Sequence, residues 1–127
     1  MSERPLRVLV VDDNRDTAQT LGVLLRSEGY EVRLAQSGTE ALLTAEWFGA
    51  DVALLDIKMP DQSGFDVAEE LRRRYGSKCP VLIAVSAYGD DANRQKADIS
   101  GFHDFVVKPY NAQAVLDLLD DVKRNNA

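Results

Sequence analysis

A chain of 127 residues fits one domain and can bury a single core without metal or disulfide staples. Its 15 basic and 21 acidic residues give a formal charge of -6, which lacks the basic balance that a nucleic-acid backbone or an anionic membrane would favour. One cysteine, Cys79, excludes an internal disulfide, no apolar run approaches the roughly 20 residues of a membrane span, and no signal-peptide h-region precedes the first apolar run, so a soluble cytoplasmic protein with no direct nucleic-acid or membrane partner is expected.

The first predicted strand, residues 6–11, ends in Asp12-Asp13. A weaker strand at 30–35 follows a segment of helical spacing. The second helix has the clearest start, because Ser37 and Glu40 stand three apart, as a capping box requires, ahead of Ala41, Leu42, Ala45 and Phe48. Trp47 and Phe48 at its end are expected in the core or between helix and sheet. The third strand, 51–55, delivers Asp56 and breaks at Lys58-Met59-Pro60. A third helix ends in Arg72-Arg73-Arg74, where cations suit the helix dipole and could also form a docking patch. Cys79 reads as a structural thiol before the strand at 80–85, which ends in Ser86.

The segment 90–99 offers only Ala92, Ala97 and Ile99 as apolar anchors, so a helix there would be thinly held and cheap to move. The last strand, 103–107, leads to Lys108-Pro109, and His103, the only histidine, is expected to pack or be solvated at its start rather than to carry chemistry. Ala114/Val115, Leu118/Leu119 and Val122 then form one apolar stripe on a last helix whose other face is acidic. Strands that are apolar on both faces and alternate with helices imply an α/β fold, with a parallel sheet covered on both sides.

In such a sheet, ligands sit beyond the carboxyl ends of the strands. Asp12, Asp13 and Asp56 all lie there. Two carboxylates about 4 Å apart repel by about 4 kcal/mol at an effective dielectric of 20, so three that converge need a cation or a proton. Oxygen-only ligands point to Mg²⁺. The competing reading, in which each aspartate merely caps the following helix, applies to any one of them more easily than to three. Ser86 adds a hydroxyl donor, and Lys108 adds a compact cation suited to phosphoryl oxygens. Together these groups suit phosphoryl transfer, which is largely positioning and charge neutralisation, with an aspartate as acceptor.

Asp12-Asp13, Asp56 with Met59-Pro60 and Gly64, Ser86-Ala87, and Lys108-Pro109, taken in this order, resemble the response-regulator receiver domain of bacterial two-component signalling. The resemblance covers essentially the whole chain, 1–127, as a single receiver domain. It implies a doubly wound, flavodoxin-like sheet of five parallel strands in order 2-1-3-4-5 with five helices. It implies that Asp56 accepts a phosphoryl group from a phosphohistidine and that Lys108 pairs with that group. It assigns Mg²⁺ to Asp13 and Asp56 directly, to Asp12 through water, and to the backbone carbonyl of Lys58. It makes Ser86 and Phe105 the switch pair: Ser86 would draw its loop towards the phosphoryl group, and Phe105 would rotate inward in response. Serine replaces the family's frequent threonine at 86, and phenylalanine replaces its frequent tyrosine at 105, which removes an outward hydroxyl contact. Lys58 and Tyr88 stand where the family tunes the lifetime of the phosphorylated state.

The implied partners are a histidine kinase or histidine phosphotransfer protein and a downstream protein target, the latter meeting the 90–99, 103–107 and 111–124 face. Two other classes compete: an Mg²⁺-dependent aspartate-nucleophile phosphohydrolase, and a binding domain that is never phosphorylated. The haloacid-dehalogenase-like hydrolases carry Asp-x-Asp, whereas this chain has Asp12-Asp13-Asn14 and no cap insertion. A pure binding domain has no need of Asp13, Asp56, Ser86 and Lys108 together. No DNA-binding or catalytic pattern follows the last helix, which fits a stand-alone regulator and equally a receiver from a hybrid kinase or longer regulator; the segment from Gly101 to Pro109 looks like hybrid-kinase receivers.

Overall fold

The computed structural model describes residues 4–87, 89 and 91–125. Strands and helices alternate along the chain: β1 Arg7–Val11, α1 Arg15–Ser27, β2 Glu31–Ala35, α2 Gly38–Phe48, β3 Val52–Asp56, α3 Gly64–Tyr75, β4 Val81–Ser86, α4 Asp91–Ile99, β5 Asp104–Val107 and α5 Ala112–Asn125. The strands form one parallel sheet in the order β2-β1-β3-β4-β5, as expected. Each strand begins within one residue of its expected position. Tyr88 and Asp90, which belong to the expected lifetime-tuning and mobile segments, lie outside the described residues.

Successive side chains on a strand point to opposite faces, so each apolar run supplies two cores. Val8, Val10, Leu54, Ile83 and Val85 pack with Leu21 and Leu25 of α1 and Val115 and Leu119 of α5. Leu9, Val11, Leu55, Leu82 and Ala84 pack with Ala41 of α2, Phe65 and Leu71 of α3 and Ala97 of α4. The central strand β3 is buried at all five positions, which is why its sequence is a continuous apolar run up to the carboxylate. Each fully buried leucine contributes about 2–3 kcal/mol of transfer free energy, enough to hold polar groups at the rim of the sheet.

Three details of the sequence reading change. Ser37 does cap α2, accepting from the Glu40 N–H at 3.1 Å, but the Glu40 carboxylate accepts from Gln36 N–H instead of closing the box on Ser37. Phe48 is buried, whereas Trp47 is 64% exposed. The two are about 100° apart around the helix, so one alone faces the sheet; Trp47 lies beneath the Arg33 guanidinium, 5.6 Å from its ring centre. On α5, Ala114 is exposed, and the stripe runs through Val115, Leu119 and the partly buried Leu116, Leu118 and Val122.

Candidate functional site

Parallel register delivers the site. Val11 pairs with Leu55 and Asp56 pairs with Val85, so Asp12, one residue past β1, stands level with Asp56 at the end of β3. Ser86 pairs with Val107, which sets Lys108 one residue beyond. All four strand ends open on one edge of the sheet.

The Lys108 Nζ donates to Oδ2 of Asp12 and to Oδ2 of Asp56, each at 3.1 Å. Asp12 and Asp56 are buried and Asp13 is exposed, and each of the three offers an oxygen within 4.8 Å of the others. Neither Asp12 nor Asp13 caps α1: that role belongs to Asn14, whose side chain accepts from Thr17 N–H at 3.1 Å. Likewise Ser63, not Asp56, caps α3. The Oδ2 atoms of Asp12 and Asp56 are therefore left to face Lys108. Asp12 Oδ1 takes the Asn14 N–H at 2.9 Å, and Asp56 Oδ1 takes the Lys58 N–H at 3.2 Å, which fixes both rotamers.

Burial pushes the Asp56 carboxyl up to about 6; the hydrogen bond and charge of Lys108 oppose the rise, and the Asp12 charge adds to it. Burial on its own would lower the Lys108 ammonium, but its hydrogen bonds to Asp12 and Asp56 hold it above its usual value. Asp56 is thus a carboxylate above pH 6, facing a firmly cationic lysine.

The carboxylates open into a cleft of about 750 Å³ whose far side is lined by Asn93 and Lys96 of α4. Ser86 is buried and lines the same cleft. Gly64 lets α3 approach β3: a Cβ there would stand 2.5 Å from the Asp56 carbonyl oxygen and 2.9 Å from Ile57 Cα. All-oxygen donors, two of them buried and turned on one point, fit a small hard cation.

Phe105 lies outside this cluster, half-buried on β5, with the Arg94 guanidinium 4.8 Å over its ring. Lys58 is exposed, and its backbone N–H, rather than its ammonium, reaches Asp56. Among the residues set aside, His103 is exposed and closes β4 to β5 through its ring: Nδ1 accepts from Leu82 N–H at 3.1 Å. The Cys79 thiol is half-buried and raised by burial. Arg73 and Arg74 are paired with Glu70, and Arg74 also reaches Glu46, so two of the three arginines are already engaged. The sequence reading passed over Asp61, Asn93 and Lys96, which also line the cleft. Asp61 is a loop aspartate after a proline, and its partners lie 22 and 23 residues away, so no local pattern marks it.

Residues 8–120 match the response regulator receiver domain family. The sensory transduction protein RegX3 of Mycolicibacterium smegmatis is 38% identical over 120 residues, which cover 94% of this chain and 51% of RegX3. The sensor histidine kinase AtsR of Burkholderia thailandensis is 36% identical over 124 residues, 95% of this chain and 20% of AtsR. The response regulator TrrA of Thermotoga maritima, solved in complex with Mg²⁺ and beryllofluoride, superposes with a TM-score of 0.81 at 31% identity, covering 92% of this chain and 98% of TrrA. The chain spans about half the length of RegX3 and a fifth of AtsR. With the sheet order, the strand-end chemistry and the family match all in agreement, the chain belongs to the receiver domains of two-component response regulators.

Proposed function

We propose that this receiver domain is a phosphorylation-dependent switch in which Asp56 is the acceptor. The observation that carries the reading is the position of Asp56, buried at the end of β3 between the Lys108 ammonium at 3.1 Å and the carboxylates of Asp12 and Asp13. Asp56 Oδ would attack the phosphorus of a phosphohistidine on a histidine kinase or phosphotransfer protein. The P–O bond forms as the P–N bond breaks, and the imidazole leaves with a proton from solvent. Asp56 must be ionised to do this, which its pKa of about 6 allows at neutral pH.

Asp13 and Asp56 would bind Mg²⁺ directly, Asp12 through water and Lys58 through its carbonyl; when bound, the ion neutralises charge on the phosphoryl oxygens. Lys108 would exchange its carboxylate partners for the phosphoryl group, and Ser86 would donate its hydroxyl to it. Phe105 would follow inward. The output surface is the face of α4, β5 and α5, and the setting is the cytoplasm, where a kinase partner is met. The chain does chemistry on itself, taking and losing its own phosphoryl group. AtsR carries a similar segment within a sensor histidine kinase and RegX3 within a sensory transduction protein, so a hybrid kinase and a longer regulator are both supported settings.

Incubation with acetyl phosphate and Mg²⁺ should add one phosphoryl mass, and Asp56→Asn should add none while keeping its fold. Full incorporation by Asp56→Asn would overturn the assignment.

A further inference from the structure

The loop between β3 and α3 carries Lys58 and forms one wall of the cleft. Its base is held by the sheet: Ile57 N–H donates to the Val85 carbonyl at 3.0 Å, and Gly64 N–H donates to the Ile57 carbonyl at 2.8 Å. Among the described residues, the hydrogen bonds that tie its tip, residues 59–62, to the rest of the fold all run through Asp61. Asp61 Oδ1 accepts the Gly38 N–H at 2.9 Å, and Oδ2 accepts the Thr39 N–H at 2.9 Å and the Thr39 hydroxyl at 2.8 Å. Oδ1 also takes the N–H of its neighbour Gln62 at 2.9 Å.

These are the open donors at the start of α2. A helix begins with unsatisfied N–H groups, and here two residues divide them: Ser37 covers Glu40, and Asp61 covers Gly38 and Thr39. The backbone donors and the helix dipole both favour the ionised form, and the Asp61 carboxyl is held well below the ordinary carboxylate range, with the Thr39 N–H the largest cause. The approach is close, since a Cβ on Gly38 would run into the Gln62 side chain. Three residues before Asp61, the Lys58 N–H is bonded to Asp56 Oδ1.

We propose that Asp61 is a positioning residue for the phosphoryl-transfer site, fastening the β3–α3 loop to the start of α2 so that the Lys58 peptide is held against Asp56. Its carboxylate bonds the start of α2 and Gln62, and it is not one of the three clustered carboxylates Asp12, Asp13 and Asp56. The inference rests on the acceptor and metal assignments above, because a loosened Lys58 peptide matters only if its N–H orients Asp56 and its carbonyl binds the cation.

The test uses the full chain as wild type, Asp61→Ala, Asp61→Asn and Ser37→Ala. Mg²⁺ affinity is measured by calorimetric titration, phosphorylation by acetyl phosphate is followed by mass, and amide exchange is read over residues 57–63. Asp61→Ala should weaken Mg²⁺ binding several-fold, less than the roughly 10-fold or more that loss of a direct partner of a metal ligand costs, because Asp61 bonds no ligand itself. It should slow phosphorylation in parallel and speed exchange at 57–63. Asp61→Asn keeps an acceptor oxygen and should recover part of both losses. Ser37→Ala removes a bond from the same helix start without touching the loop, so it should lower the melting temperature and leave Mg²⁺ affinity and rate unchanged. Wild-type affinity and rate in Asp61→Ala would overturn the proposal, as would equal losses in Ser37→Ala. A wild type that neither binds Mg²⁺ nor takes a phosphoryl group would defeat the phosphoryl-transfer reading beneath it, a result distinct from either.

Discussion

The backbone N–H of Lys108 donates to the Ser86 carbonyl at 2.7 Å, so the two groups proposed to meet the phosphoryl oxygens are one hydrogen bond apart through the main chain. That bond continues the β4–β5 ladder past the Ser86–Val107 pair. A pull on either residue therefore moves both strand ends.

Lys108→Ala tests this coupling. In the free state the substitution leaves the buried Asp12 and Asp56 without their shared cation. Lys108 is partly exposed, so water offsets much of the loss, and the expected destabilisation is about 1–2 kcal/mol, less than for a fully buried pair. Saturating Mg²⁺ should restore more stability to the variant than it adds to wild type. The variant should still accept some phosphate yet lose most of its conformational response. A wild-type spectral change on adding beryllofluoride would refute the role given to Lys108.

The pH dependence of stability follows from Asp56. Its folded pKa of about 6 lies above the ordinary 3.8, so the folded state binds this proton more tightly than the unfolded chain does. The ionised carboxylate therefore costs stability above pH 6, and the cost fades as pH falls from 6 towards 4. Asp56→Asn removes it, so in Mg²⁺-free buffer the variant should exceed wild type by about 2 kcal/mol at pH 7.5, at 1.36 kcal/mol per pKa unit discounted for the lost Lys108 bond. The gap should close by pH 4.5. Denaturant melts at both pH values check this, and a gap that widens in acid would show the sign to be wrong.

Much of this arrangement was legible in the sequence because it is written in local patterns. A strand buried on both faces reads as VALLD, and a parallel sheet sends every such run to the same edge, so Asp12, Asp56, Ser86 and Lys108 could be grouped before any contact was known. What could not be read was pairing across long separations between polar groups. The bonds from Asp61 to Gly38 and Thr39 and the seat of Arg94 on Phe105 leave no periodicity. Trp47 was misplaced because two adjacent aromatics at a helix end satisfy the same pattern, and only the direction of the sheet decides which goes inside.

Asp13 is the exposed member of the carboxylate cluster and has no part in the Lys108 bridge. Asp13→Ala should accordingly weaken Mg²⁺ binding and slow phosphorylation while leaving the Asp12–Lys108–Asp56 contacts in place. Removing one of three converging charges should also raise the melting temperature of the metal-free protein. Titration calorimetry and thermal unfolding report the two effects separately, and unchanged Mg²⁺ affinity would count against the proposed ligand set.

Gly64 is required by contact rather than by an unusual backbone angle. A methyl group at this position meets the Asp56 carbonyl and Ile57 Cα, which are main chain and cannot turn aside. Gly64→Ala should therefore push α3 away from β3, at about 1–3 kcal/mol, the usual cost of overpacking. Because Gly64 N–H also closes onto the Ile57 carbonyl, the shift should reach Asp56, and phosphorylation there, as proposed, should slow beyond what the melting temperature alone would explain. A variant with lower stability and an unchanged rate would separate α3 seating from the site.

The proposed output surface gives the last prediction. α4 buries only Ala97 and leaves Ile99 79% exposed, so few apolar contacts oppose its movement. It is held to β5 by Arg94, whose guanidinium lies over Phe105 and whose Nε donates to the Gly89 carbonyl at 3.1 Å. Gly89 in turn sits against Val107, where a Cβ would meet the valine side chain at 2.5 Å. A phosphoryl group shifts a two-state equilibrium only through contacts that differ between the states, and the Arg94–Phe105 contact would be broken if Phe105 turned inward. Beryllofluoride with Mg²⁺ should therefore change amide exchange across 86–110 and leave α2 with Trp47 nearly unaltered. Arg94→Ala removes the strap, so it should raise exchange in this segment before any phosphoryl mimic is added and shrink the further change on adding it. Changes confined to residues 37–50 would place the switch on the opposite side of the sheet order, next to β2, and an Arg94→Ala profile identical to wild type would show that the strap does not hold the resting state.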